Sequence, residues 1–233
     1  MASFMEEAIK KARVLIEALP YIKKFHNKVI VIKYGGSILS DEKVRKAVLE
    51  DIVFLSFMGL RPVLVHGGGP HISASIRQAG GKTEFINGMR VTDKVTLKIV
   101  EKELKSINDL IVDEFTRQGA KAAGLNGKDR SIVRVKKKKS KVDLGLVGQV
   151  TGVNADYLLK ELKNNRILVI LPLGSGSDRK IYNVNADEVA AHIASGLSAE
   201  KLVLLTNVRG IMRNPQDEHS FISTLNIEEA RGL

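Results

Sequence analysis

The sequence predicts an α/β protein with a doubly wound, mainly parallel open sheet flanked by helices, and with an N-terminal helical arm. Four short apolar runs have the composition of buried parallel strands. They are Val29–Ile32, Pro62–Val65, Ile167–Leu171 and Lys201–Leu205. Segments with apolar residues at helical spacing separate most of these runs, and this alternation is typical of a parallel sheet. Glycine-rich segments follow the runs, at the end of the sheet where ligands of such folds bind.

The composition is that of a globular protein able to bury a core. The 233 residues are 44% hydrophobic and 27% charged, which allows one large domain or two small lobes. No apolar stretch reaches the roughly 18 residues of a membrane span, and the first ten residues lack the apolar region of a secretory signal. The chain has no cysteine, which excludes disulfides, thiolate metal sites and cysteine nucleophiles. We therefore expect a cytoplasmic protein without a membrane partner.

The formal net charge of +11 has two interpretations. A nucleic-acid binder would concentrate this charge on one face, whereas an enzyme for anionic small molecules would place a few charges in a cleft. The one dense cluster is Lys136–Lys139, followed by Lys141, between two short strand-like runs. It contains no aromatic residue, so a solvated hairpin tip is the simpler interpretation.

The N-terminal arm is predicted to be an amphipathic helix over residues 5–19. Its apolar residues recur at helical spacing, and Glu6–Lys10 is a favourable pair one turn apart. Pro20 is expected to break or kink this helix, with room for one further turn up to Phe25. The apolar stripe fits packing on its own domain and packing on the same helix of another subunit equally well.

The first strand ends in Lys33, Tyr34 and two glycines, Gly35 and Gly36. A helix is predicted from Asp41 to Met58, with Gly59 as its stop. Its expected buried stripe is Val44, Val48, Ile52 and Leu55. The next strand then makes a right-handed βαβ unit. Lys33 would lie at the carboxyl end of its strand, where it either binds an anion or extends its ammonium into solvent.

The second strand is followed by His66, three glycines (Gly67–Gly69) and Pro70, and then by a helical stretch over residues 71–79. Three successive glycines cost chain entropy. They are useful where backbone amides must face an anion at a helix N-terminus. A tight turn with close helix–sheet packing is the alternative, and it needs only one glycine.

Polar residues between the later elements mark further candidates. Asn87 and Gly88 predict a turn just before Arg90. The planar guanidinium of Arg90 suits a carboxylate, although a surface arginine is the simpler interpretation of this residue taken alone. Thr92 is the expected N-cap of a helix through Ile99 and Leu104. Further elements are a second helix over 107–118, short strands over 121–125, 131–135 and 144–150, a helix over 156–162, and a helical stretch from 225.

The segment before the last apolar run contains Asn183, Asn185, Asp187 and Glu188. Asn185 with Glu188 is typical of a helix capping box, and that explains both residues. Capping explains Asp187 only partly and does not require Asn183. No P-loop, dinucleotide fingerprint or nucleophile elbow is present, and no clustered histidines and carboxylates predict a metal held by the protein.

Five segments in order resemble the amino-acid kinase family, most closely its acetylglutamate kinases. They read V-I-K-Y-G-G, V-H-G-G-G-P, N-G-M-R-V-T-D, Y-N-V-N-A-D and L-L-T-N-V-R-G-I. The resemblance runs from about Ala18 to the last residue, and the arm is similar to the N-terminal helix of the arginine-sensitive, hexameric branch. The family's G-M-x-x-K segment is not in the sequence. The chain is therefore expected to be C-terminally incomplete, with an arm (1–26), an amino-acid-substrate lobe (27–195) and the beginning of a nucleotide lobe (196–233).

The resemblance implies transfer of the γ-phosphoryl group of ATP, with Mg²⁺ carried by the nucleotide, to the side-chain carboxylate of N-acetyl-L-glutamate in arginine synthesis. It also implies a role for each matching residue. Lys33, oriented by Asp187, would stabilise the phosphoryl group. The remaining implied contacts are Gly35 and Gly36 with the phosphoryl group, Gly68, Gly69, Arg90 and Asn183 with the amino-acid substrate, and Thr206, Asn207 and Gly210 with the nucleotide.

The resemblance further implies a homo-oligomer, a dimer or a hexamer built through the arm, and arginine as a feedback inhibitor. Two alternatives remain open at the level of the sequence. One is a related kinase acting on another carboxylate, such as an aminoadipate derivative, and the other is a non-catalytic module that binds acetylglutamate. A nucleic-acid binder is a third possibility, and it rests on charge alone.

Overall fold

The computed structural model describes residues 2–35, 39, 41–208, 210–214 and 216–232. These residues form seven α-helices and eleven β-strands. In chain order they are α1 (Ala2–Phe25), β1 (Val29–Tyr34), α2 (Glu42–Phe57), β2 (Arg61–His66), α3 (Gly69–Gln78), β3 (Phe85–Ile86), β4 (Met89–Arg90), α4 (Lys94–Arg117), β5 (Ala122–Asn126), β6 (Val133–Lys137), β7 (Gly148–Val153), α5 (Ala155–Leu162), β8 (Ile167–Leu171), β9 (Leu173–Gly176), β10 (Ile181–Asn183), α6 (Ala186–Gly196), β11 (Lys201–Leu205) and α7 (Ile227–Arg231).

A parallel sheet forms the centre of the fold. Within the described residues its strand order is β11-β1-β2-β8-β5, and every neighbouring pair is parallel. The four apolar runs are therefore all strands of one sheet, as predicted. The prediction that Lys201–Leu205 is buried is wrong, because β11 is an edge strand among the described residues and Leu202, Val203 and Leu204 are 38–49% exposed. Because the strands are parallel, the residues that follow β1, β2, β8 and β11 lie at one edge of the sheet.

Helices cover both faces of this sheet, which confirms the doubly wound architecture. Side chains alternate between the faces along each strand. Val31 and Val63 pack with α5 and α6 on one face, whereas Ile32 and Leu64 pack with α2 and α4 on the other. Two hydrophobic layers, one on each side, thus hold the carboxyl edge of the sheet in place.

A second, four-stranded sheet in the order β10-β9-β6-β7 lies beyond the carboxyl end of β8, which Pro172 alone separates from β9. The β3–β4 hairpin and two isolated bridges, Thr92 with Gly145 and Val147 with Asn183, connect to this region. The lysine run begins in β6 and continues towards β7. Most of its side chains are solvent-exposed as predicted, but Lys138 is half-buried and pairs with Glu188 at 3.3 Å.

α1 continues through Pro20 to Phe25, so the further turn that the sequence allowed after this proline is present, and Pro20 does not break the helix. Other predicted boundaries are wrong. The two helices predicted around Lys105 are a single helix, α4, since no glycine or proline interrupts the segment. Asp93, not Thr92, caps α4, and its carboxylate accepts from the Thr96 amide.

The buried stripe of α2 is also shifted. Ile52 is buried as predicted, but Val44 is 42% exposed and Leu49 and Val53 take the buried positions. The helix ends at Gly59, whose φ of 85° suits glycine, as predicted. The capping box at α6 is only half formed. Asn185 accepts from the amides of Asp187 and Glu188, while the Glu188 carboxylate accepts from the Val150 amide of β7 instead.

The apolar stripe of α1 does not pack on its own domain. Ile9, Ile16 and Leu19 are between 46% and 67% exposed, so the first of the two packing alternatives is wrong for this chain. None of the helices in the described part of the chain is long and apolar enough to cross a membrane.

Candidate functional site

A cavity of about 230 Å³ lies at the carboxyl end of β1 and β2. The structure brings seven of the predicted site residues to its wall: Lys33, Gly35, Gly68, Gly69, Arg90, Asn183 and Asp187. They come from β1, the loop after β2, the β3–β4 hairpin, β10 and the first turn of α6. The cavity therefore lies where parallel sheets bind their ligands, and both lysine and arginine cations face it.

Lys33 and Asp187 form an ion pair at one side of the cavity. The ammonium Nζ lies 3.1 Å from Asp187 Oδ1, and the two side chains are 15% and 52% exposed. A lysine that extends into bulk solvent would be more exposed, so the geometry favours the anion-binding interpretation of Lys33. Gly35 lies against this ammonium, and a Cβ atom there would come 3.3 Å from Nζ. The missing side chain leaves the lysine accessible from the cavity.

The glycine triplet joins β2 to α3. The Gly67 amide donates to the Tyr34 carbonyl at 2.8 Å, and Gly68 is the N-cap of α3 without a side-chain cap bond. A Cβ at Gly68 would press on Leu104 and Ile107, at 3.1 and 3.0 Å, whereas one at Gly69 would meet nothing within 4 Å. Packing thus explains Gly68 but not Gly69, where the open space would allow a ligand to approach the helix N-terminus.

Arg90 forms the opposite side of the cavity and is 6% exposed. Its Nη2 donates to the Gly69 carbonyl at 3.1 Å and to Ser73 Oγ at 2.8 Å, and the guanidinium stacks 4.6 Å above the Phe85 ring. Burial lowers the pKa of the guanidinium, yet an arginine remains protonated. Its Nη1 is buried and has no hydrogen-bond partner among the described residues. Arg90 also lines the cavity, and a planar guanidinium is suited to binding a carboxylate or another anion.

Asn183 is oriented by Thr92, which is fully buried. The Thr92 hydroxyl donates to the Arg90 carbonyl at 2.8 Å, so its oxygen accepts from Asn183 Nδ2 at 3.2 Å. One N–H of the Asn183 side-chain amide is thereby used, and this orientation makes Oδ1 available as an acceptor for a ligand. The backbone of Leu146 reinforces this link. Its N–H donates to the Thr92 carbonyl, and its carbonyl accepts from the backbone N–H of Asn183.

Four predicted site residues are not placed in this cavity. Gly36 lies outside the described residues. Thr206, Asn207 and Gly210 follow β11, which pairs with β1, so they begin beside Gly35 at the same edge of the sheet without lining the cavity. Their assignment to a nucleotide remains a prediction. The described residues contain no group of three or more histidines and carboxylates placed to hold a metal ion.

Sequence reasoning missed the residues that orient the site. Ser73 and Phe85 hold Arg90, Thr92 holds Asn183, and Glu188 ties the first turn of α6 to β7. The only local signal was the turn at Asn87 and Gly88, which predicts the hairpin that brings Arg90 onto Phe85. The other partners are distant in sequence, and no periodicity or motif spacing connects them.

Comparison with known proteins agrees with this geometry. Residues 28–232 match the model of the amino acid kinase family. The chain is 45% identical to an acetylglutamate kinase of Carboxydothermus hydrogenoformans, over 98% of this chain and 81% of that protein. It is 47% identical to an acetylglutamate kinase of Thermoanaerobacter pseudethanolicus, over 97% of this chain and 76% of that protein.

A solved structure supports the fold alone. An N-acetylglutamate synthase from Neisseria gonorrhoeae, complexed with coenzyme A and L-arginine, superposes with a TM-score of 0.79 at 24% identity. The match covers 93% of this chain, which spans about half (51%) of the synthase chain. Because the family model covers most of the sequence and the kinases are similar to nearly all of it, this chain belongs to the amino acid kinase family.

Proposed function

We infer that this chain acts as an acetylglutamate kinase, which transfers the γ-phosphoryl group of ATP to the side-chain carboxylate of N-acetyl-L-glutamate. Its curated relatives carry that name at 43–47% identity. The observation that carries the inference is the convergence of two cationic side chains, Arg90 and the Lys33 that pairs with Asp187, on the wall of one cavity. One cation there serves the substrate carboxylate and the other serves the phosphoryl group.

The acyl-amino acid would bind between Arg90 and Asn183. The guanidinium is held by Ser73 and the Gly69 carbonyl, so its free edge is preorganised for the α-carboxylate. Asn183 Oδ1 would accept the N–H of the acylated amine. The amides of Gly68 and Gly69 at the N-terminus of α3 would donate to the acyl-amino acid as well, where the positive end of the helix dipole favours an anion.

The reaction needs no general base. A side-chain carboxylate with an ordinary pKa of about 4.3 is ionised at neutral pH. Its oxygen attacks the γ-phosphorus while the bond from that phosphorus to the bridging oxygen of ADP breaks, and an acyl phosphate forms. Lys33 and the amides at Gly35 and Gly36 would neutralise charge on the transferring group, and Asp187 would keep the ammonium in place.

ATP would bring Mg²⁺ as part of the substrate rather than as a metal held by the protein. Thr206, Asn207 and Gly210 would contact the nucleotide from the carboxyl end of β11, beside Gly35. This arrangement assigns residues 27–195 to the amino-acid lobe and residues 196–233 to the start of the nucleotide lobe. We place the reaction in arginine synthesis in the cytoplasm.

The exposed apolar stripe of α1 supports self-association through this helix. We propose a homo-oligomer in which this helix contacts its copy, and arginine as an inhibitor whose effect depends on the arm. Deletion of residues 1–24 should lower the oligomer size in sedimentation and weaken inhibition by arginine. Unchanged inhibition after the deletion would contradict this part of the proposal.

Trapping of the product with hydroxylamine tests the activity. Purified protein with ATP and Mg²⁺ should give a hydroxamate that depends on N-acetyl-L-glutamate, and N-acetyl-L-aminoadipate should react at least tenfold more slowly. Faster reaction of the aminoadipate derivative would move the substrate assignment within the family. Calorimetric binding of N-acetyl-L-glutamate with no binding of ATP would instead identify a non-catalytic binding module.

A further inference from the structure

Two buried polar side chains beside the cavity have no part in the mechanism above. His66, the last residue of β2, is fully buried, and Asn108 in the middle of α4 is 3% exposed. The imidazole Nδ1 lies 3.0 Å from the Gly67 carbonyl oxygen, and Nε2 lies 3.1 Å from Asn108 Nδ2. The same Nδ2 lies 3.0 Å from the Val169 carbonyl of β8. These contacts form one chain of hydrogen bonds from β8 to the glycine triplet.

The two carbonyl groups at the ends of this chain fix every proton in it. Val169 O can only accept, so the Asn108 atom that faces it is the NH₂ nitrogen. That nitrogen donates its second proton to His66 Nε2, which is therefore unprotonated. Nδ1 then carries the imidazole proton and donates to the Gly67 carbonyl. Burial lowers the pKa of His66 to about 4, which keeps the imidazole neutral and this tautomer in place at neutral pH.

Gly124 in β5 provides the space for Asn108. A Cβ atom at Gly124 would collide with Asn108 Oδ1. The absence of a side chain on β5 thus determines the position of an amide on α4, and through it the orientation of the histidine at the end of β2. In this way β5, α4 and the end of β2 are coupled to the loop of the glycine triplet.

The orientation of the Gly67–Gly68 peptide follows from the proton on Nδ1. In a trans peptide the C=O and the next N–H point in opposite directions. Because His66 holds the Gly67 carbonyl, the Gly68 amide points away from the imidazole, and Gly68 itself lines the cavity. We propose that His66 and Asn108 are positioning residues that fix this peptide, so that the Gly68 amide faces the bound acyl-amino acid. This step rests on the proposed function for the identity of the ligand.

The proton assignment can be measured without any ligand. In protein labelled with ¹⁵N-histidine, His66 should show a protonated Nδ1 and an unprotonated Nε2, and the two signals should not titrate between pH 5 and pH 9. Asn108→Asp replaces the donor by an acceptor, so the proton should then appear on Nε2. A proton on Nε2 in the wild-type protein would overturn the proposal.

Binding of N-acetyl-L-glutamate by calorimetry tests the role of the loop. His66→Leu removes the donor and should weaken binding about tenfold, as expected for one misoriented amide. His66→Asn places an N–H donor at the position of Nδ1, since both atoms are bonded to Cγ, and should restore affinity to within about threefold. Gly124→Ala, which displaces Asn108 from a distance, should weaken binding in the same direction as His66→Leu.

Ile111→Val is the matched control, because it trims a fully buried side chain of the same helix without touching the chain of hydrogen bonds. It should lower thermal stability and leave the affinity unchanged. Equal affinity of His66→Leu and wild type, or equal loss in the Leu and Asn variants, would overturn the positioning role. If the wild-type protein binds no N-acetyl-L-glutamate, the proposed function fails, and the ¹⁵N signals still decide the tautomer.

Discussion

The ammonium of Lys33 lies 3.1 Å from a carboxylate oxygen of Asp187, although one residue is in the first strand of the fold and the other opens its sixth helix. The parallel pairing of β1 with β11 and β2, and the packing of α6 on that sheet, bring the two together. The pair holds a cation at the wall of the cavity, and in the proposed reaction this cation would stabilise charge on the transferring phosphoryl group.

Removal of the Lys33 ammonium should abolish most of the activity and leave the fold intact. Lys33→Met should lower the single-turnover rate of hydroxamate formation by roughly 100- to 1,000-fold. Asp187→Asn should cost less, because the lysine remains. Because Asp187 is half-exposed, the free energy of unfolding of either variant, measured with urea, should change by less than about 1 kcal/mol. A large stability loss with proportionate activity loss would contradict a catalytic role.

Arg90 should determine affinity for the amino-acid substrate more than turnover. Arg90→Lys loses the planar fork and the stacking on Phe85, so the dissociation constant for N-acetyl-L-glutamate should rise about 10- to 100-fold. Arg61→Lys is the control, since Arg61 lies at the amino end of β2, across the sheet from the cavity. Similar losses in both variants would show that the effect is one of general charge.

The hydrogen bonds of the Thr92 hydroxyl, and not only the volume of the side chain, should contribute to stability and to substrate binding. Thr92→Val keeps the shape of the side chain but leaves the Arg90 carbonyl and Asn183 Nδ2 without their partner. The free energy of unfolding should fall by about 1–3 kcal/mol, and binding of N-acetyl-L-glutamate should weaken. Thr92→Ser should recover most of both quantities in the same urea and calorimetric measurements. A serine variant as impaired as the valine variant would argue for the methyl group instead.

Acid should destabilise the protein through His66. Its pKa in the folded state is about 4, below the ordinary 6.5, so the unfolded chain binds more protons between these values and stability falls as pH falls through that window. The loss attributable to His66 should reach about 2 kcal/mol at pH 5 relative to pH 7. Urea unfolding of wild type and His66→Asn at both pH values isolates it. Parallel pH dependences in the two proteins would refute the assignment.

The buried pair of Arg45 and Glu114 should be costly to break. The side chains are 12% and 8% exposed, their ion pair is 3.1 Å long, and Arg45 Nη1 also donates to the Leu39 carbonyl in the loop after β1. Arg45→Met leaves a buried, unpaired carboxylate and should destabilise by about 3–5 kcal/mol. Lys46→Ala breaks the exposed Lys46–Glu42 pair and should cost at most about 0.5 kcal/mol. Equal effects in urea unfolding would contradict this account.

Local patterns were sufficient for the strands and for most of the cavity. The run before Lys33 is apolar at every position because both faces of its strand are covered, and such a run is visible in one dimension. Glycines after strands and an arginine after a turn are equally local. The continuity of α4 through Lys105 has no local signal, because it depends on packing along the whole helix rather than on the residue itself.

The sequence by itself determined four parallel strands of the central sheet, the carboxyl edge as the place of the site, and seven of the residues that line the cavity. Periodicity, glycine content and charge are properties of adjacent residues, so they can be read from the sequence alone. Only the tertiary structure decided that Thr92 holds Asn183 and that Asn108, given room by Gly124, holds His66. A short polar side chain can bond to any partner within about 3 Å, and which partner is within reach depends on how distant segments pack.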